Sequence, residues 1–553
     1  MPLEAKYACE VVSDKELVVR QDHSTSSPKL YSMKPGHKFS GYEIFVQEPG
    51  TKVWMSTGDG WVTVLWPTKW QADAGVGTTE RVKYTEIAPP PSDDDTPPPP
   101  DDDDTPPPST GRKVIRVLLT YDDGSTQEFV NPGSTDQFFS LHSFIESHPE
   151  AVFIKRTNVP AKTDAQAKQS VGFEFAQEVL VYGTTGGIPL SHKIAIKANV
   201  THTEGMGNTE AGMGIITDKY FTEGLIEGMK GLGFQSNWMY LREGNWLKDG
   251  YCPTDLMHTG YVEMTERTGI HSLYFSEGRR ITDLTLENLQ EGAEVVWKDC
   301  PDGVVFRRVG YVSPYNLPGS WLINISKFKT HYMGMTLCAK NLQGMCVSPH
   351  VRFCESEEAT SQHPAFVLRD FQPDFAKHIA ALHAQHLRAG IPRWDRPGTN
   401  YSGGYGVERW AQRTCDSLSV TDVGLNVIEG IYGRNGNGFM KGPGPEGKAE
   451  DFMTNLLIFG KDPFRVDIIG TWLAGHEPGN FGFFHIAKER GLSNVVNPRD
   501  IPVYIWDKSN PERTSLSNFE RIPLATSYLR RDYNGQTEPL YHLVDEPFDY
   551  QSF

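Results

Sequence analysis

Residues 88–110 read APPPSDDDTPPPPDDDDTPPPST, a tandem of proline and aspartate runs. Each proline fixes φ and removes a backbone donor, while the aspartates repel one another. Such a segment forms an extended, polyproline-like spacer and cannot be packed inside a domain. The chain is therefore expected to fold as separate bodies on either side of it: a domain over 1–87, the linker over 88–110, a hairpin-and-helix lead-in over 111–150, and a large domain over 151–553.

Before the spacer, the β-prone runs Leu17–Arg20, Lys38–Phe45, Val53–Thr57 and Trp61–Leu65 are separated by turn residues such as Pro35-Gly36 and Gly58-Asp59-Gly60. That spacing predicts a small all-β barrel. The stretches ELVVRQDHSTSSPKLYSMKPGHKF and VWMSTGDGWV are similar to the bacterial-type Src-homology-3-like domain, with its L-x-V-R opening and G-W-V strand. The resemblance implies a binding module for a protein or wall-polymer partner. Trp54, Trp61 and Trp66 are the candidates for its groove.

After the spacer, VIRVLLTYDDGSTQEFV reads as two alternating strands around Asp123-Gly124, a hairpin signal, and Thr135–Ser147 reads as a helix. From Val152 onward strands and helices alternate. HKIAIKANV, FQSNWMYLRE, WLINIS, LNVIEG, LLIFG and VYIWD are the short apolar, strand-forming runs. Thr217 opens a helix with Phe221, Leu225 and Met229 on one face. Asp462 is placed as the N-cap, and Pro463 as the first residue, of a helix whose Phe464, Ile468 and Trp472 predict an amphipathic face. The expected fold is α/β, a mostly parallel sheet with flanking helices. Residues 345–419, irregular and rich in His, Arg and Gly, read as an insertion.

Seventy acidic against 53 basic residues leave a net charge of −17, with seven of the acidic residues in the spacer. This balance argues against unspecific binding to nucleic acid or an anionic membrane. No run of about eighteen apolar residues exists to span a bilayer, and MPLEAKYACEVVSDKEL lacks a basic-then-apolar signal. Seven sparse cysteines without a C-x-x-C make a disulfide scaffold, a zinc ribbon or a ferredoxin-type cluster unexpected. A cytoplasmic, reduced protein is expected. His383 and His386 share a helical face, but without a third ligand a solvated face is favoured over a metal site. No metal site is predicted, and the sequence leaves any cofactor unassigned.

The chemistry concentrates in INISKFKTHYMGMTLCAKNLQG, residues 323–344, where an apolar strand runs into Lys327, Lys329, Thr330 and His331, with Lys340 and Asn341 close behind. In open α/β sheets ligands sit beyond the carboxyl ends of the strands. Cations delivered there are expensive to desolvate without an anionic partner. The competing reading is a surface loop with ordinary solvated lysines.

Lys327, Lys329, Thr330, His331, Thr336, Lys340, Asn341, Leu342 and Gly344 match the K-x-K-T-H…T-x-x-x-K-N-L-x-G hallmark of the domain-of-unknown-function family 362, which this stretch resembles. Further family patterns follow in order across about 151–507: Lys197-Ala198-Asn199, Thr217-Asp218, Glu429-Gly430-Ile431 with Gly436-Asn437-Gly438, Gly460 with Asp462, Pro463 and Asp467, and HIAKERGL. Members with a ferredoxin-like module carry C-x-x-C, which is absent here. The His331-to-Lys340 spacing is also similar to a stretch of nickel-pincer lactate racemases, without their glycine pair before the lysine.

From the residues themselves, Lys197, Lys329 and Lys340 are expected to form an electropositive pocket for a carboxylate or phosphate, joined by Lys327 and Thr330. His331 is the candidate general acid/base, with Lys340, Glu429 and Asp467 as further catalytic candidates. Asn199 and Asn341 are placed on substrate oxygens, and Gly436, Asn437 and Gly438 in a loop able to approach a ligand with backbone N–H groups. The expected function is an enzyme acting on a small anionic metabolite by acid/base chemistry. The alternatives are a non-catalytic anion-binding or scaffold protein, and a nickel-pincer racemase-like or iron–sulfur-associated redox protein.

Overall fold

The apolar runs of the large domain pair into one nine-stranded sheet. In the computed structural model the described residues are short strand segments between 7 and 130, then 137–183, 187–201, 206–244, 258–271, 288–331, 333–347, 350, 370–394, 404–436, 441–528, 540–542 and 546–552. The linker, Trp66, Cys252, Cys354, Asn437 and Gly438 lie outside them, as do the side chains of Trp54 and Trp61. The chain divides into two compact units, Met1–Arg112 and Lys113–Phe553.

In the first unit the described strands form two sheets. One orders Lys38–Gly41, Tyr7–Val11, Val82–Glu86 and Val76–Thr78; the other orders Lys29–Met33, Leu17–Arg20, Trp61–Leu65, Lys52–Ser56 and Ile44–Gln47. All their pairings are antiparallel. The run expected as one strand over Lys38–Phe45 breaks after Gly41, and its halves join different sheets. No single closed barrel forms among the described strands.

The large sheet comprises, in chain order, β1 (Val152–Arg156), β2 (Lys193–Ala198), β3 (Met239–Leu241), β4 (Ser320–His331) and β5 (Gly334–Thr336). It continues with β6 (Leu425–Arg434), β7 (Asp451–Gly460), β8 (Val503–Ile505) and β9 (Glu512–Thr514). Across the sheet the order is β3-β2-β4-β6-β7-β1-β8-β9, with β5 on β4. The run β3-β2-β4-β6 is parallel, as is β1-β8. β6-β7, β7-β1, β8-β9 and the β4-β5 hairpin are antiparallel. The sheet is therefore mixed rather than mostly parallel. The physical reason is local: among the described residues no α-helix lies between β6 and β7, which pair antiparallel without a crossover.

Around the sheet lie α1 (Ala165–Val179), α2 (Lys219–Gly231), α3 (Tyr261–Thr268) and the short α4 (Cys338–Leu342). Then come α5 (Phe375–Arg388), α6 (Gly404–Leu418), α7 (Pro463–Leu473) and α8 (Gly482–Glu489). α1 and α2 cross at backbone contact; a Cβ on Gly224 would sit 1.9 Å from the Gln169 carbonyl oxygen. α2 begins one residue later than expected, with Asp218 as its N-cap. Asp462 caps α7 through the amides of Phe464 and Arg465.

Three local expectations change. α7 is not amphipathic, because every residue from Phe464 to Leu473 is buried; it packs against β6, β7, α4 and α8. The Thr135–Ser147 stretch contains a strand, Phe138–Leu141, and only one helical turn, Ser143–Glu146. Within 345–419 the described residues include α5 and α6, whose Ile379, Trp410 and Cys415 belong to the main core. No described helix is long and apolar enough to cross a membrane.

Candidate functional site

The parallel strands β2, β4 and β6 carry their polar residues at their carboxyl ends, where the register sets Lys327 beside Glu429 and Lys329 beside Arg434. The β4–β6 ladder shifts between Lys327 and Lys329, and the β6–β7 ladder between Gly430 and Tyr432. Bulges re-aim side chains without ending a strand, and these two flank the motif. β4 then turns into β5 through Gly334, whose φ of +111° and contact with the Phe481 ring leave no room for a side chain.

Two buried ion pairs anchor the cluster. Lys327 Nζ lies 2.7 Å from Glu429 Oε2 with both side chains fully buried, and 3.3 Å from the centre of the Tyr432 ring. Glu429 also accepts the amides of Asp218 and Ile431. Burial pulls the Lys327 pKa down and pushes Glu429 up, and their mutual attraction offsets only part of each shift. Lys197 Nζ donates to Glu243 Oε2 at 2.9 Å and to Asn341 Oδ1 at 3.1 Å. A Cβ on Gly344 would lie 2.3 Å from Glu243 Oε1 and 2.8 Å from Lys197 Nζ, so the glycine that ends the motif makes space for this pair.

Asn341 ties the strands together. Its Nδ2 donates to Asn324 Oδ1 and the carbonyls of Lys197 and Ile325, while its Oδ1 accepts from Lys197 and Asn199. Asn199 Oδ1 has no hydrogen-bond partner among the described residues. Asn341, placed on substrate by the sequence, thus spends its amide on the protein. Thr330 likewise donates to the Gly436 carbonyl at 2.7 Å, and the Gly436 amide donates to Ala525. Gly436 is therefore tied into the loop by both of its backbone groups.

Lys329 is only 1% exposed and donates to the Ile215 carbonyl. Burial, followed by the positive charges of Lys340, Arg434, Lys327 and Lys197, holds its pKa well below the usual lysine value. His331, at the end of β4, is held well below the usual imidazole value by burial, Lys340 and Lys329. Its Nδ1 accepts from the Met333 amide at 3.3 Å. Lys329 thus lies within electrostatic reach of Lys340, Lys197 and His331, and Lys340 within reach of His331.

Asp467 projects from α7 to the start of α4, accepting from the amides of Cys338 at 2.6 Å and Ala339 at 2.8 Å. Burial pushes its pKa up to about 8. With Lys340 and Thr471 it lines a cavity of about 20 Å³.

Several participants were not singled out from sequence: Glu243, Tyr432, Arg434, Asp451 and Lys168, which pairs at 2.6 Å with Asp218 of the Thr217-Asp218 pattern. Tyr432 and Arg434 follow Glu429 on one strand, and that proximity was the available signal. Elsewhere His386, expected on a solvated face, is buried. Its Nδ1 and Nε2 each lie 2.7 Å from a carboxylate, of Glu408 and Glu489, which α6 and α8 bring over α5. Among the described residues no three His, Cys, Asp or Glu side chains gather as a metal-binding set.

A family model described as a domain of unknown function, DUF362, matches residues 194–472, from β2 to the end of α7. No curated protein and no solved structure matches the chain.

Proposed function

The chain belongs to the DUF362 family, and we propose that its large domain is an enzyme that binds a small organic anion at the Lys329–His331–Lys340 cluster and moves a proton on it. One observation carries the reading. The amine of Lys329 is buried at the carboxyl ends of the parallel strands, among cations that favour its neutral form. Strongly perturbed titratable groups at the carboxyl ends of parallel strands stand where catalytic groups and ligand sites of open α/β sheets are found. An anion arriving at Lys340 offsets the repulsion among these groups. The His331 imidazole or the Lys329 amine, both held to lower pKa values by burial and neighbouring cations, then accepts a proton, and Asp467, its pKa raised to about 8, is placed to donate one.

Within this proposal the amino-terminal unit is a Src-homology-3-like docking module for a protein or polymer partner, a reading supported by its two small antiparallel sheets. The buried thiols of Cys300, Cys338, Cys346 and Cys415, none of them in a disulfide, are in keeping with a reducing, cytoplasmic setting. The lack of a metal-ligand group among the described residues weighs against the iron–sulfur alternative.

The test is native mass spectrometry of the purified chain, followed by incubation with small carboxylates and phosphates and product analysis. Lys340→Ala and His331→Ala should keep the far-ultraviolet dichroism of the parent. Lys340→Ala should lose the bound anion and His331→Ala the turnover. If bound ligands are never chemically altered, the non-catalytic anion-binding reading replaces this one.

A further inference from the structure

The cavity beside α7 is walled by Met, Leu, Trp and Phe side chains apart from three polar residues, Lys340, Asp467 and Thr471. Asp467 and Thr471 stand one turn apart on α7, at i and i+4, and so share one face of the helix. Thr471 is fully buried, and its Oγ1 has no hydrogen-bond partner among the described residues. A helical threonine can turn its hydroxyl back onto the carbonyl four residues earlier; Thr471 does not. Leaving a buried hydroxyl unsatisfied destabilises a fold. Asp467 makes a matching demand. Its two oxygens accept the amides of Cys338 and Ala339. Burial raises its pKa to about 8, and a carboxyl that holds its proton needs an acceptor, which neither amide supplies.

We infer that the cavity binds one ordered water molecule, hydrogen-bonded to Thr471 Oγ1 and to the Asp467 carboxyl, with Thr471 as the residue that positions it. The size fits. A buried water needs about 10–15 Å³ and about two to four polar partners, and the cavity offers about 20 Å³ and three polar residues. Water both donates and accepts, so one molecule answers the Thr471 hydroxyl and the Asp467 carboxyl in either protonation state of the acid. The binding of this water stands on the cavity and the hydroxyl, independently of any anion. Only its part in a reaction rests on the proposed function. There the water takes the Asp467 proton as it passes one of its own to the bound anion, which leaves a carboxylate on Asp467 and the water regenerated.

Crystal structures of the full chain and of Thr471→Val and Thr471→Ser, at a resolution that orders water, test this alongside urea unfolding of the same three proteins. The parent should show one water at about 2.7–3.2 Å from both Thr471 Oγ1 and an Asp467 oxygen. Thr471→Ser keeps the hydroxyl and should keep the water; Thr471→Val should lose it. In solution Thr471→Val should lower the folding constant about fivefold, because it removes a hydroxyl that a water satisfies. A hydroxyl left unsatisfied predicts the opposite sign, since valine would then relieve a cost. A parent cavity without ordered water, a different solute in it, a water bonded to neither group, a water unchanged in Thr471→Val, or a Thr471→Val more stable than the parent each overturns the inference. The parent density decides even where a variant fails to fold. Turnover of an anion by a protein whose cavity is dry would end this inference and spare the enzymatic reading. A Thr471-bound water in a protein that never alters a ligand would do the reverse.

Discussion

Lys327 and Glu429, paired across the parallel β4–β6 ladder, meet at 2.7 Å with neither side chain reaching solvent. The pair holds the strand ends together beneath the rest of the cluster, and its energetics are asymmetric. Removing one partner strands a charge in the interior and costs about 3–5 kcal/mol, whereas replacing both by well-packed neutral groups is often neutral or stabilising. Lys327→Met should accordingly lower the urea midpoint of the large domain strongly, and Lys327→Met with Glu429→Gln should recover most of the loss. A double variant as unstable as the single one would assign the role to the backbone bonds of Glu429 instead.

Lys329 leads to the opposite expectation. Its pKa is lowered by burial and neighbouring cations, so the unfolded chain binds a proton that the native chain does not, from the native pKa up to the ordinary value near 10.4. Stability therefore rises with pH across that window. Lys329→Met should flatten the rise and stabilise the domain at neutral pH, by at most about 1.4 kcal/mol for each unit by which the lysine pKa is lowered, while abolishing any turnover. Thermal unfolding at pH 7 and 9 measures both effects; a destabilised Lys329→Met would show that the amine is structural.

Between α5, α6 and α8 the sign reverses. Burial alone lowers the pKa of His386, but the carboxylates of Glu408 and Glu489 outweigh it and leave the imidazole raised. The native state then holds a proton that the unfolded state has released. The stabilisation is fully present below the ordinary value of about 6.5 and is lost as pH rises through the native pKa. His386→Gln should remove this loss above pH 6.5, read as converging parent and variant unfolding midpoints at alkaline pH. Midpoints that stay parallel from pH 6 to 9 would rule the ion pairs out as its source.

The legibility of the sequence tracks the range of the interactions. Local signals survived: Asp462 before Pro463 marks the start of α7, and the β-branched runs around Ile323, Val427 and Ile458 became the central strands. The K-x-K-T-H segment lies at the carboxyl end of β4, as the strand-then-charge pattern implies, but Lys327, Lys329 and Thr330 are buried there, which the pattern alone does not encode. What failed depends on the far side of a contact. Whether α7 shows a face to water is decided by α4, α8 and the sheet around it, which its own periodicity does not encode. His386 reads as solvated until Glu408 and Glu489 are brought to it. That the Asn341 amide nitrogen donates to three strand-end acceptors is likewise not written in its own segment. The unused hydroxyl of Thr471 is invisible without knowing that it has no partner.

Asp467 provides the sharpest pH signature of the site. Its carboxyl is fully buried at the start of α4, and burial outweighs the two amide donors to raise its pKa from 3.8 to about 8. Between those values the folded chain carries a proton that the unfolded chain has lost, so this contribution to stability is complete below about pH 4 and fades as pH rises toward 8. The slope contributed reaches at most about 1.4 kcal/mol per pH unit. Asp467→Asn is uncharged at every pH and should remove that slope between pH 5 and 7, whatever its own offset in stability. Isothermal urea unfolding of parent and variant at each pH gives the comparison. Identical slopes would mean that Asp467 is ionised in the native protein, which would withdraw it as a proton donor to a ligand at Lys340.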